Sequence, residues 1–305
     1  MARQLSILIP TFNDTCDTLV ANVLEQAVSI GDLKYEILVA DDGSTDEAVI
    51  QVNKKTGTLP GCRFLRREKN CGRAAIRNFL AEEAQYNTLL FIDSDMSIIR
   101  KDFLLSYMSA HETHPDSIVY GGYIVTGNKK ELDSNLRYKY EKDAEARHSA
   151  EIRRAHPYQD FHTSNFLIPK EIMLRHPLDE RFKSYGYEDV FFGKQLEKAA
   201  IDIVHVDNPV GFSTFEDNKH FIRKTEESLQ TLYAFRDELE SYSTLIRTVK
   251  HIESMRFKWL LRMLHHCLQG FERRNLTGDS PSLSVFKCYK LGFYIDLSKT
   301  ENKKT

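Results

Sequence analysis

The sequence predicts an α/β fold with a mostly parallel central sheet flanked by helices, followed by a helical extension. Two observations predict it. Short apolar runs alternate with helical patterns over residues 5–206, and the chain is helical in pattern from about residue 220. Continuous apolar runs are typical of parallel strands, because helices cover both faces of such a sheet. We therefore expect residues 1–240 to form one α/β domain and residues 241–305 to form the helical extension.

Strands and helices alternate along the first part of the chain. Apolar runs predict strands at 5–9, 35–40, 62–66 and 88–92. Apolar residues at helical spacing predict helices at 17–29, 48–55, 73–85 and 101–113. Residues 117–125 also have the pattern of a strand, although Gly121 and Gly122 lie within them.

The second part of the chain is more charged. Residues 129–156 predict a solvated helical insertion. Residues 161–168 and 202–206 predict strands, with a helix between them at 189–200. Between Arg247 and Arg274, seven Lys or Arg residues stand against two Glu, with several large apolar residues interspersed. This last pattern predicts a basic amphipathic helix.

The composition argues against several classes of protein. A formal net charge of -2 gives no general attraction to nucleic acids or to anionic surfaces. The five cysteines are scattered and form no C-x-x-C pair, so neither a zinc site nor a redox motif is indicated. The sequence shows no signal peptide and no apolar segment of membrane-spanning length. We therefore expect a cytoplasmic protein with reduced thiols.

Two acidic residues, Asp93 and Asp95, directly follow the apolar run at 88–92. Carboxylates at the end of a buried strand lie at the sheet edge where α/β proteins bind ligands. Two hard oxygen ligands there suit a divalent cation that holds the phosphates of a substrate. The alternative is a strand followed by an ordinary Asp-Ser-Asp turn or helix cap.

Five motifs occur in order along the chain. They are S-I-L-I-P-T-F-N at 6–13, E-I-L-V-A-D-D-G-S-T-D at 36–46, N-C-G-R-A-A-I-R-N at 70–78, D-S-D at 93–95 and G-Y-E-D at 186–189. This series resembles that of the family 2 glycosyltransferases, from about residue 4 to residue 230. The resemblance implies the GT-A fold, which has a Rossmann-like sheet, and the use of a nucleotide-activated sugar.

The resemblance implies a donor site that begins in the first three motifs. Its nucleotide-sugar-binding residues would be Pro10, Thr11, Asn13, Asp42, Arg73, Arg77 and Asp93. A carboxylate at the position of Asp42 can accept the N3–H of a uracil ring, which favours a UDP-sugar. Otherwise, residues 41–44 form only a turn with Asx-type bonds. Arg73 and Arg77 lie one helical turn apart, where they could meet a pyrophosphate or form a solvated face paired with nearby glutamates.

The resemblance also implies a divalent cation, Mg²⁺ or Mn²⁺, bound by Asp95 and Asp93. The cation would neutralise the leaving nucleoside diphosphate. In many relatives a histidine after an Asn-Pro-Val-like turn adds a ligand, but here Phe212 occupies that place. Either His205 or His220 substitutes for it, or the cation relies on Asp95, phosphates and water, an arrangement that Mg²⁺ accepts.

The last motif carries the implied catalytic residues. Asp189 matches the general base that takes the proton of the acceptor hydroxyl, and Glu188 would bind the acceptor or act as the base itself. Direct displacement of this kind would invert the anomeric configuration. Without the resemblance, the two carboxylates are explained as favourable charges at a helix N-terminus. The implied acceptor residues are His162, Asn165 and Tyr187, although a lone histidine is more often structural.

We therefore expect an inverting glycosyltransferase of the hexosyltransferase type. It would move a sugar from a UDP-sugar to a hydroxyl of a glycan or lipid-linked acceptor, in the synthesis of a surface polysaccharide or glycoconjugate. One alternative, motivated by Phe212, is a catalytically weak nucleotide-sugar-binding or scaffold protein. Another is a sugar-phosphate nucleotidyltransferase, which would need a Gly-rich basic loop where this chain has residues 10–14. The sequence names neither the donor sugar nor the acceptor.

The basic helical region has two explanations. Residues 245–275 would make a peripheral contact with an anionic membrane at its inner face, near a lipid-linked acceptor. Alternatively, they pack on the catalytic domain and expose a solvated basic face. No nucleic-acid partner is expected.

Overall fold

The structure, a computed structural model, describes residues 3–301 and the side chains of residues 3–298. The chain forms two compact units. The first comprises Met1–Thr126, Glu145–Lys183 and Glu188–Thr214, and the second comprises Gly127–Ala144, Ser184–Tyr187 and Phe215–Thr305. The division is discontinuous, unlike the predicted boundary at residue 240, because two short middle segments pack with the C-terminal helices. Residues 1–2 and 302–305 of the predicted domains lie outside the described residues.

The described strands form two sheets. They are β1 (Arg3–Thr11), β2 (Leu33–Asp41), β3 (Cys62–Arg66), β4 (Thr88–Ile92), β5 (Met96–Ser97), β6 (Ile118–Tyr120), β7 (Tyr123–Val125), β8 (Asn165–Pro169), β9 (Ile203–His205) and β10 (Val210–Phe212). The large sheet has the order β3-β2-β1-β4-β8-β6-β9, and the small sheet has the order β5-β10-β7. In the large sheet as described, β8 alone runs antiparallel to its neighbours, which confirms the prediction of a mostly parallel sheet.

The described helices dominate the second half of the chain. They are α1 (Asp17–Ser29), α2 (Glu47–Thr56), α3 (Arg73–Glu83), α4 (Phe103–Thr113), α5 (Lys129–Leu132), α6 (Leu136–Glu145), α7 (Ala150–Arg153), α8 (Lys170–Arg175), α9 (Glu188–Lys198), α10 (Asn218–Ala234), α11 (Arg236–Leu239), α12 (Thr244–Ser254), α13 (Lys258–Leu276) and α14 (Leu283–Glu301). Within the described residues, none of these helices combines the length and the apolar character needed to cross a membrane.

The large sheet has an apolar cluster on each face. Alternate residues of a strand point to opposite faces, so Ile7 and Ile9 of β1 join one cluster and Leu8 joins the other. Helices α1 and α4 cover the first face, and α3 and α9 cover the second. Burying each such side chain contributes about 1.5–3 kcal/mol. This two-sided burial explains why the strands are continuous apolar runs in the sequence.

The strand-like residues 117–125 form two strands rather than one. β6 and β7 belong to different sheets. A side chain at Gly121, between them, would collide with the carbonyl oxygen of Asn208. Gly122 has a φ of +83°, a conformation that glycine adopts at little cost. The two glycines therefore let the chain leave the large sheet and enter the small one.

The charged region 129–156 is not the fully solvated insertion that its composition predicts. Leu136 and Tyr138 of α6 are buried. Leu136 belongs to the apolar core of the second unit, together with Phe221 of α10 and Phe286 of α14. The local pattern missed this burial because the few apolar residues of α6 are surrounded by charged ones.

Candidate active site

The predicted donor motifs meet at one edge of the large sheet. The parallel strands β1, β2 and β4 end there, at Thr11, Asp41 and Ile92. Because β8 is antiparallel to β4, its first residues lie at the same edge, where the N–H of Asp93 donates to the carbonyl of Ser164 (2.9 Å). Open α/β sheets bind ligands at the carboxyl ends of their strands. Sheet topology thus assembles residues that are far apart in sequence.

Pro10 and Thr11 close β1. The pairing of β1 with β4 stops at Leu8, so the missing N–H of Pro10 removes no hydrogen bond from that ladder. Thr11 is buried, and its Oγ1 donates to the carbonyl of Asp14 (2.6 Å). The Thr11 carbonyl accepts from the N–H of Asp42 (2.9 Å). These bonds fix the exit of β1 against the exit of β2.

Asn13 ties the loop after β1 to the loop after β2. Its Oδ1 accepts from the backbone N–H groups of Thr45 (2.8 Å) and Asp46 (3.1 Å), and its own N–H donates to Ser44 Oγ (2.7 Å). Asn13 has a φ of +50°, which asparagine adopts more readily than most residues. The amide oxygen therefore organises the loop.

Asp42 anchors the start of α3. Its carboxylate accepts from the backbone N–H groups of Gly72 (2.9 Å) and Cys71 (3.1 Å), and Arg67 Nη1 lies 3.6 Å away. Burial raises the pKa of Asp42, while the amides of Gly72 and Cys71 and then Arg67 act in the opposite direction. A side chain at Gly43 would come within 2.5 Å of the Lys69 backbone, so only glycine lets the two loops approach this closely.

Two arginines of α3 converge on Asp93. The buried Arg77 donates from Nη2 to Asp93 Oδ1, and Arg73 Nη2 lies 3.6 Å from Asp93 Oδ2. Arg73 also reaches Glu188, with Nη1 3.6 Å from Oε1. Arg73 is 44% exposed, whereas Arg77 is 2% exposed at its side chain. Arg73 therefore faces the open side of the site, while Arg77 holds Asp93 from within.

Glu188 and Asp189 begin α9 and differ in their surroundings. Glu188 is 4% exposed, and its Oε2 has no hydrogen-bond partner. Burial raises the pKa of Glu188; Arg73 opposes the rise and the charge of Asp189 adds to it. Burial acts in the same direction on Asp189, but the hydrogen bond and charge of His162 outweigh it and lower the pKa. When one proton is shared by this pair, it therefore resides on Glu188.

His162 orients Asp189. The ring Nδ1 lies 2.9 Å from Asp189 Oδ2, and because the carboxylate is ionised, Nδ1 carries the proton and donates. Asp189 Oδ1 accepts from the N–H of Val190 (2.8 Å). His162 packs edge-on against Tyr120 and Tyr123. This pairing joins two residues that the sequence placed in separate roles.

Asp95 lies close to Phe212, the residue that stands where a histidine ligand was expected. The half-buried Asp95 precedes β5, and β5 pairs with β10 so that Met96 is opposite Phe212. Phe212 is buried and packs edge-on against Tyr123, so it is a core residue of the small sheet. Among the described residues, no group of three or more His, Cys, Asp or Glu side chains is arranged to hold a metal ion.

Of the two candidate histidines, His205 has both ring nitrogens engaged within the first unit. His205 is buried; its Nδ1 accepts from Arg153 Nε (3.1 Å) and its Nε2 donates to the carbonyl of Pro157 (2.9 Å). Burial lowers its pKa to about 4, so the ring is neutral and both nitrogens are engaged. His220 lies in α10, which belongs to the second unit.

The other two predicted acceptor residues, Asn165 and Tyr187, differ in their surroundings. Asn165 is fully buried, with Oδ1 accepting from Tyr107 Oη (2.8 Å) and Nδ2 donating to the carbonyls of Gly122 (2.9 Å) and Asn208 (3.2 Å). It is a scaffold residue, because every polar atom of its amide is used inside the fold. Tyr187 belongs to the second unit.

Arg153 is the structural residue that sequence reasoning missed. It is 3% exposed and donates from Nη2 to the carbonyls of Gly121 (3.1 Å) and Val206 (3.0 Å). Its guanidinium lies 5.0 Å from the ring centre of Tyr120, which also contacts His162. Its position in a highly charged segment gave no signal of burial.

Comparison with known families identifies most of the first unit. The family model described as glycosyl transferase family 2 matches residues 6–181. An uncharacterized glycosyltransferase, YfnE, of Bacillus subtilis (strain 168) is 30% identical over 118 residues, which are 39% of this chain and 29% of that protein. The chondroitin synthase of Pasteurella multocida (strain Pm70) is 24% identical over 221 residues, or 63% of this chain and 23% of that protein. The matches thus span less than a third of either relative.

The fold has a counterpart among solved structures. The crystal structure of residues 1–349 of S. aureus TarS in complex with UDP superposes with a TM-score of 0.53 at 16% identity. The match covers 99% of this chain and 92% of that one. At this level of identity the likeness establishes a shared fold.

Proposed function

We propose that this chain, which belongs to glycosyl transferase family 2, transfers a sugar from a nucleotide-sugar. The sugar goes to a hydroxyl group of a glycan or lipid-linked acceptor. UDP is the nucleotide we favour, since the structural counterpart TarS was solved with UDP. The observation that best supports this function is a connected set of charged side chains at the sheet edge. Arg73 links Asp93 to Glu188, and the neighbouring Asp189 is held ionised by His162.

The donor site we propose uses the loops after β1, β2 and β4. Asp42 accepts the N3–H of the base with a lone pair left over from its bonds to Gly72 and Cys71, because a carboxylate offers about four such sites. Pro10, Thr11 and Asn13 form the wall beside the base. Arg73 moves from Asp93 and Glu188 to the diphosphate when the donor enters, since its side chain is half exposed.

The residue we propose for a divalent cation, Mg²⁺ or Mn²⁺, is Asp95. Its carboxylate is a hard oxygen ligand at the strand end, whereas Asp93 is neutralised by two arginines and suits a hydroxyl of the ribose or sugar. Such a cation supplies positive charge where the leaving diphosphate becomes more negative. With Phe212 buried in the small sheet, diphosphate oxygens and water would complete the ligand set of such a cation.

Asp189 is the base that we propose. Its carboxylate takes the proton of the acceptor hydroxyl while that oxygen bonds to the anomeric carbon and the bond to the diphosphate oxygen breaks. This displacement inverts the anomeric configuration. Asp189 suits the role better than Glu188, because a base must be ionised to accept a proton, and the pKa of Asp189 is lowered whereas burial raises that of Glu188. His162 keeps the accepting oxygen in place.

The test is UDP release by the full chain from a panel of UDP-sugars, with Mg²⁺ or Mn²⁺ and candidate glycan acceptors. Asp189→Asn should lower the rate by about 10²–10⁴-fold, the usual contribution of a general base. Asp116→Asn changes an exposed aspartate outside the site and should have no effect. NMR of the product should show inversion.

A second candidate function is nucleotide-sugar binding without transfer, which Phe212 favours because it removes a ligand typical of relatives. The same experiment separates the two. A donor that binds tightly but is turned over no faster by the wild type than by Asp189→Asn would support the binding protein and exclude the transferase.

We also propose a peripheral membrane contact through residues 245–275. Helix α13 exposes a row of large apolar side chains: Trp259, Met263, Leu264, Leu268 and Phe271. Tryptophan and phenylalanine favour the membrane interface. Electrostatic attraction contributes less to this membrane contact than the sequence predicts, because four of the seven basic residues have carboxylate partners. These pairs are Lys250 with Glu240, Lys258 with Glu253, Arg262 with Asp296 and Arg273 with Glu226.

Liposome sedimentation tests this contact. Replacing both Trp259 and Phe271 with Ser should abolish binding to vesicles of phosphatidylglycerol and phosphatidylcholine. A matched control replaces the exposed apolar residues Val28 and Leu174 of the first unit with Ser. Equal partitioning of the two double variants would exclude the proposal.

A further inference from the structure

The second unit contains a cavity of about 520 Å³ that the proposed reaction does not use. Its walls come from α6, the segment Ser184–Tyr187, α10, α12 and α14. All of its lining residues belong to the second unit. This size is typical of sites for small organic ligands.

The cavity carries a positive charge. Lys224, Lys287 and Lys290 line it, against the single acid Glu141. Glu141 Oε1 lies 3.7 Å from Arg137 Nε, so its charge is partly compensated outside the cavity. Lys224 is likewise paired outside the lining, since its Nζ lies 3.2 Å from Glu216 Oε1. The positive charge available to a ligand therefore rests on Lys287 and Lys290.

Lys290 is the most informative of the three lysines. Its Nζ lies 4.7 Å from the ring centre of Tyr140 and 4.9 Å from that of Phe286. Burial, and then the like charge of Lys287, lower its pKa, while the charge of Glu141 acts in the opposite direction. Among the described residues, neither Lys287 nor Lys290 has a carboxylate within salt-bridge distance. Lys290 is half-buried, so a pairing anion would still stabilise its charge beyond the two ring contacts.

The remaining lining combines flat rings with hydroxyl groups. Tyr140, Tyr185, Tyr187, Phe221 and Phe286 supply the rings, and Thr225, Ser228, Thr244 and Thr248 supply the hydroxyls. Aromatic faces suit the apolar C–H faces of a sugar ring, and hydroxyls suit its polar edge. Lysines add charge-assisted hydrogen bonds to a phosphate or carboxylate.

The segment that carries the tyrosines is fixed to α10. The N–H of Tyr185 donates to Glu227 Oε1 (2.9 Å), and Thr231 Oγ1 donates to the carbonyl of Tyr185 (3.1 Å). Gly186 has a φ of +97°, and a side chain there would come within 2.6 Å of Ser228 Oγ. The wall is therefore preformed rather than created by a ligand.

We propose that this cavity, which we call the lysine cavity, binds a saccharide that carries a phosphate or carboxylate group. Lys287 and Lys290 hold the anion, and the tyrosines hold the sugar rings. Identification of this saccharide as the acceptor class rests on the proposed function. Binding itself does not, because none of the lining residues takes part in donor binding or proton transfer.

The experiment is isothermal titration calorimetry of the full chain without donor. The probes are trehalose 6-phosphate, cellobiouronic acid, the neutral disaccharides trehalose and cellobiose, and inorganic phosphate. An acidic disaccharide should bind at least about tenfold more tightly than its neutral counterpart, the usual effect of a hydrogen bond to a charged group. The preferred acid identifies phosphate or carboxylate as the natural group.

Two variants locate the site. Lys290→Met and Lys287→Met should each weaken binding of the acidic disaccharide about tenfold. Lys219→Met, which changes an exposed lysine of α10 outside the cavity, should bind as the wild type does. Lys287 is exposed, so its variant remains informative even if Lys290→Met unfolds, which circular dichroism would reveal.

Three outcomes would overturn the proposal. They are equal affinity for acidic and neutral disaccharides, wild-type affinity in both lysine variants, and inorganic phosphate binding as tightly as trehalose 6-phosphate. Asp189→Asn separates this proposal from the catalytic one. Retained saccharide binding with lost transfer supports both proposals, whereas sugar transfer without saccharide binding excludes the lysine cavity alone.

Discussion

In the first unit the charges at the sheet edge are paired with one another, whereas in the second unit Lys287 and Lys290 of the cavity lining have no carboxylate within salt-bridge distance among the described residues. The third lysine of the lining, Lys224, is paired with Glu216 (3.2 Å). Asp93 has Arg77 and Arg73, and Asp189 has His162. Lys290 lies over the rings of Tyr140 and Phe286, and the charges that act on it are those of Lys287 and Glu141. Strand ends are fixed by the sheet and can hold opposite charges together before any ligand binds. Paired charges thus support both fold and chemistry, whereas lysines without a carboxylate partner are available to an anionic ligand.

The largest effect we expect is on stability in the first unit. Arg77→Met leaves the buried carboxylate of Asp93 with only the more distant Arg73. Removing one partner of a buried ion pair costs about 3 kcal/mol of unfolding free energy. Urea unfolding followed by circular dichroism measures the loss.

The matched control for this change is Arg175→Met, which breaks an exposed pair with Glu171. Exposed pairs contribute about 0–1 kcal/mol, so this variant should unfold close to the wild type. Similar losses in both variants would contradict the structural importance of the Asp93 pair.

The next largest effect concerns the packing of the second unit. A side chain at Gly292 of α14 would overlap the ring of His265 of α13. Gly292→Ala should therefore cost about 1–3 kcal/mol, as overpacking usually does. Hydrogen–deuterium exchange should show faster exchange in peptides from α13 and α14.

Gly270 provides the control on the same helix pair, because a Cβ there meets nothing within 4 Å. Gly270→Ala should stabilise α13 by up to about 1 kcal/mol, since alanine is the better helix former. If both alanine variants had the same sign of effect, the close packing at Gly292 would be refuted.

The loss of stability should be smaller at Lys290 than at Arg77. Lys290→Met loses two cation–π contacts but also removes a half-buried charge, so its unfolding free energy should change by less than about 1 kcal/mol. The measurement is again urea unfolding. A loss as large as that of Arg77→Met would make Lys290 a structural cation and would weaken the case for a ligand.

The last prediction is a shift in pH dependence. His162 lowers the pKa of Asp189 against the effect of burial. His162→Gln should therefore raise that pKa, so that the base becomes protonated, and kcat/KM falls, at a higher pH than in the wild type. His114→Gln, an exposed histidine after α4, is the control. If kcat/KM of His162→Gln falls at the same acidic pH as that of the wild type, His162 does not have the proposed role.

Much of the first unit was predictable from local pattern. Helix α1 has the predicted bounds, Asp17–Ser29, and β3 and β4 match the predicted strands. Their apolar runs are complete because both faces of the sheet are buried. Asn165 and Arg153 were not predictable, because their burial depends on partners far away in the chain. Gly122 is 43 residues from Asn165, and Val206 is 53 residues from Arg153.

The sequence by itself determined the order of strands and helices, the carboxylates at the strand ends and the family motifs, since each depends on a few neighbouring residues. Only the tertiary structure decided which charges meet. It joined Arg73 to Glu188, paired His162 with Asp189 and gathered three lysines around one cavity. The physical reason is that local periodicity fixes which face of an element is buried, whereas contacts between distant elements are fixed by sheet topology and packing.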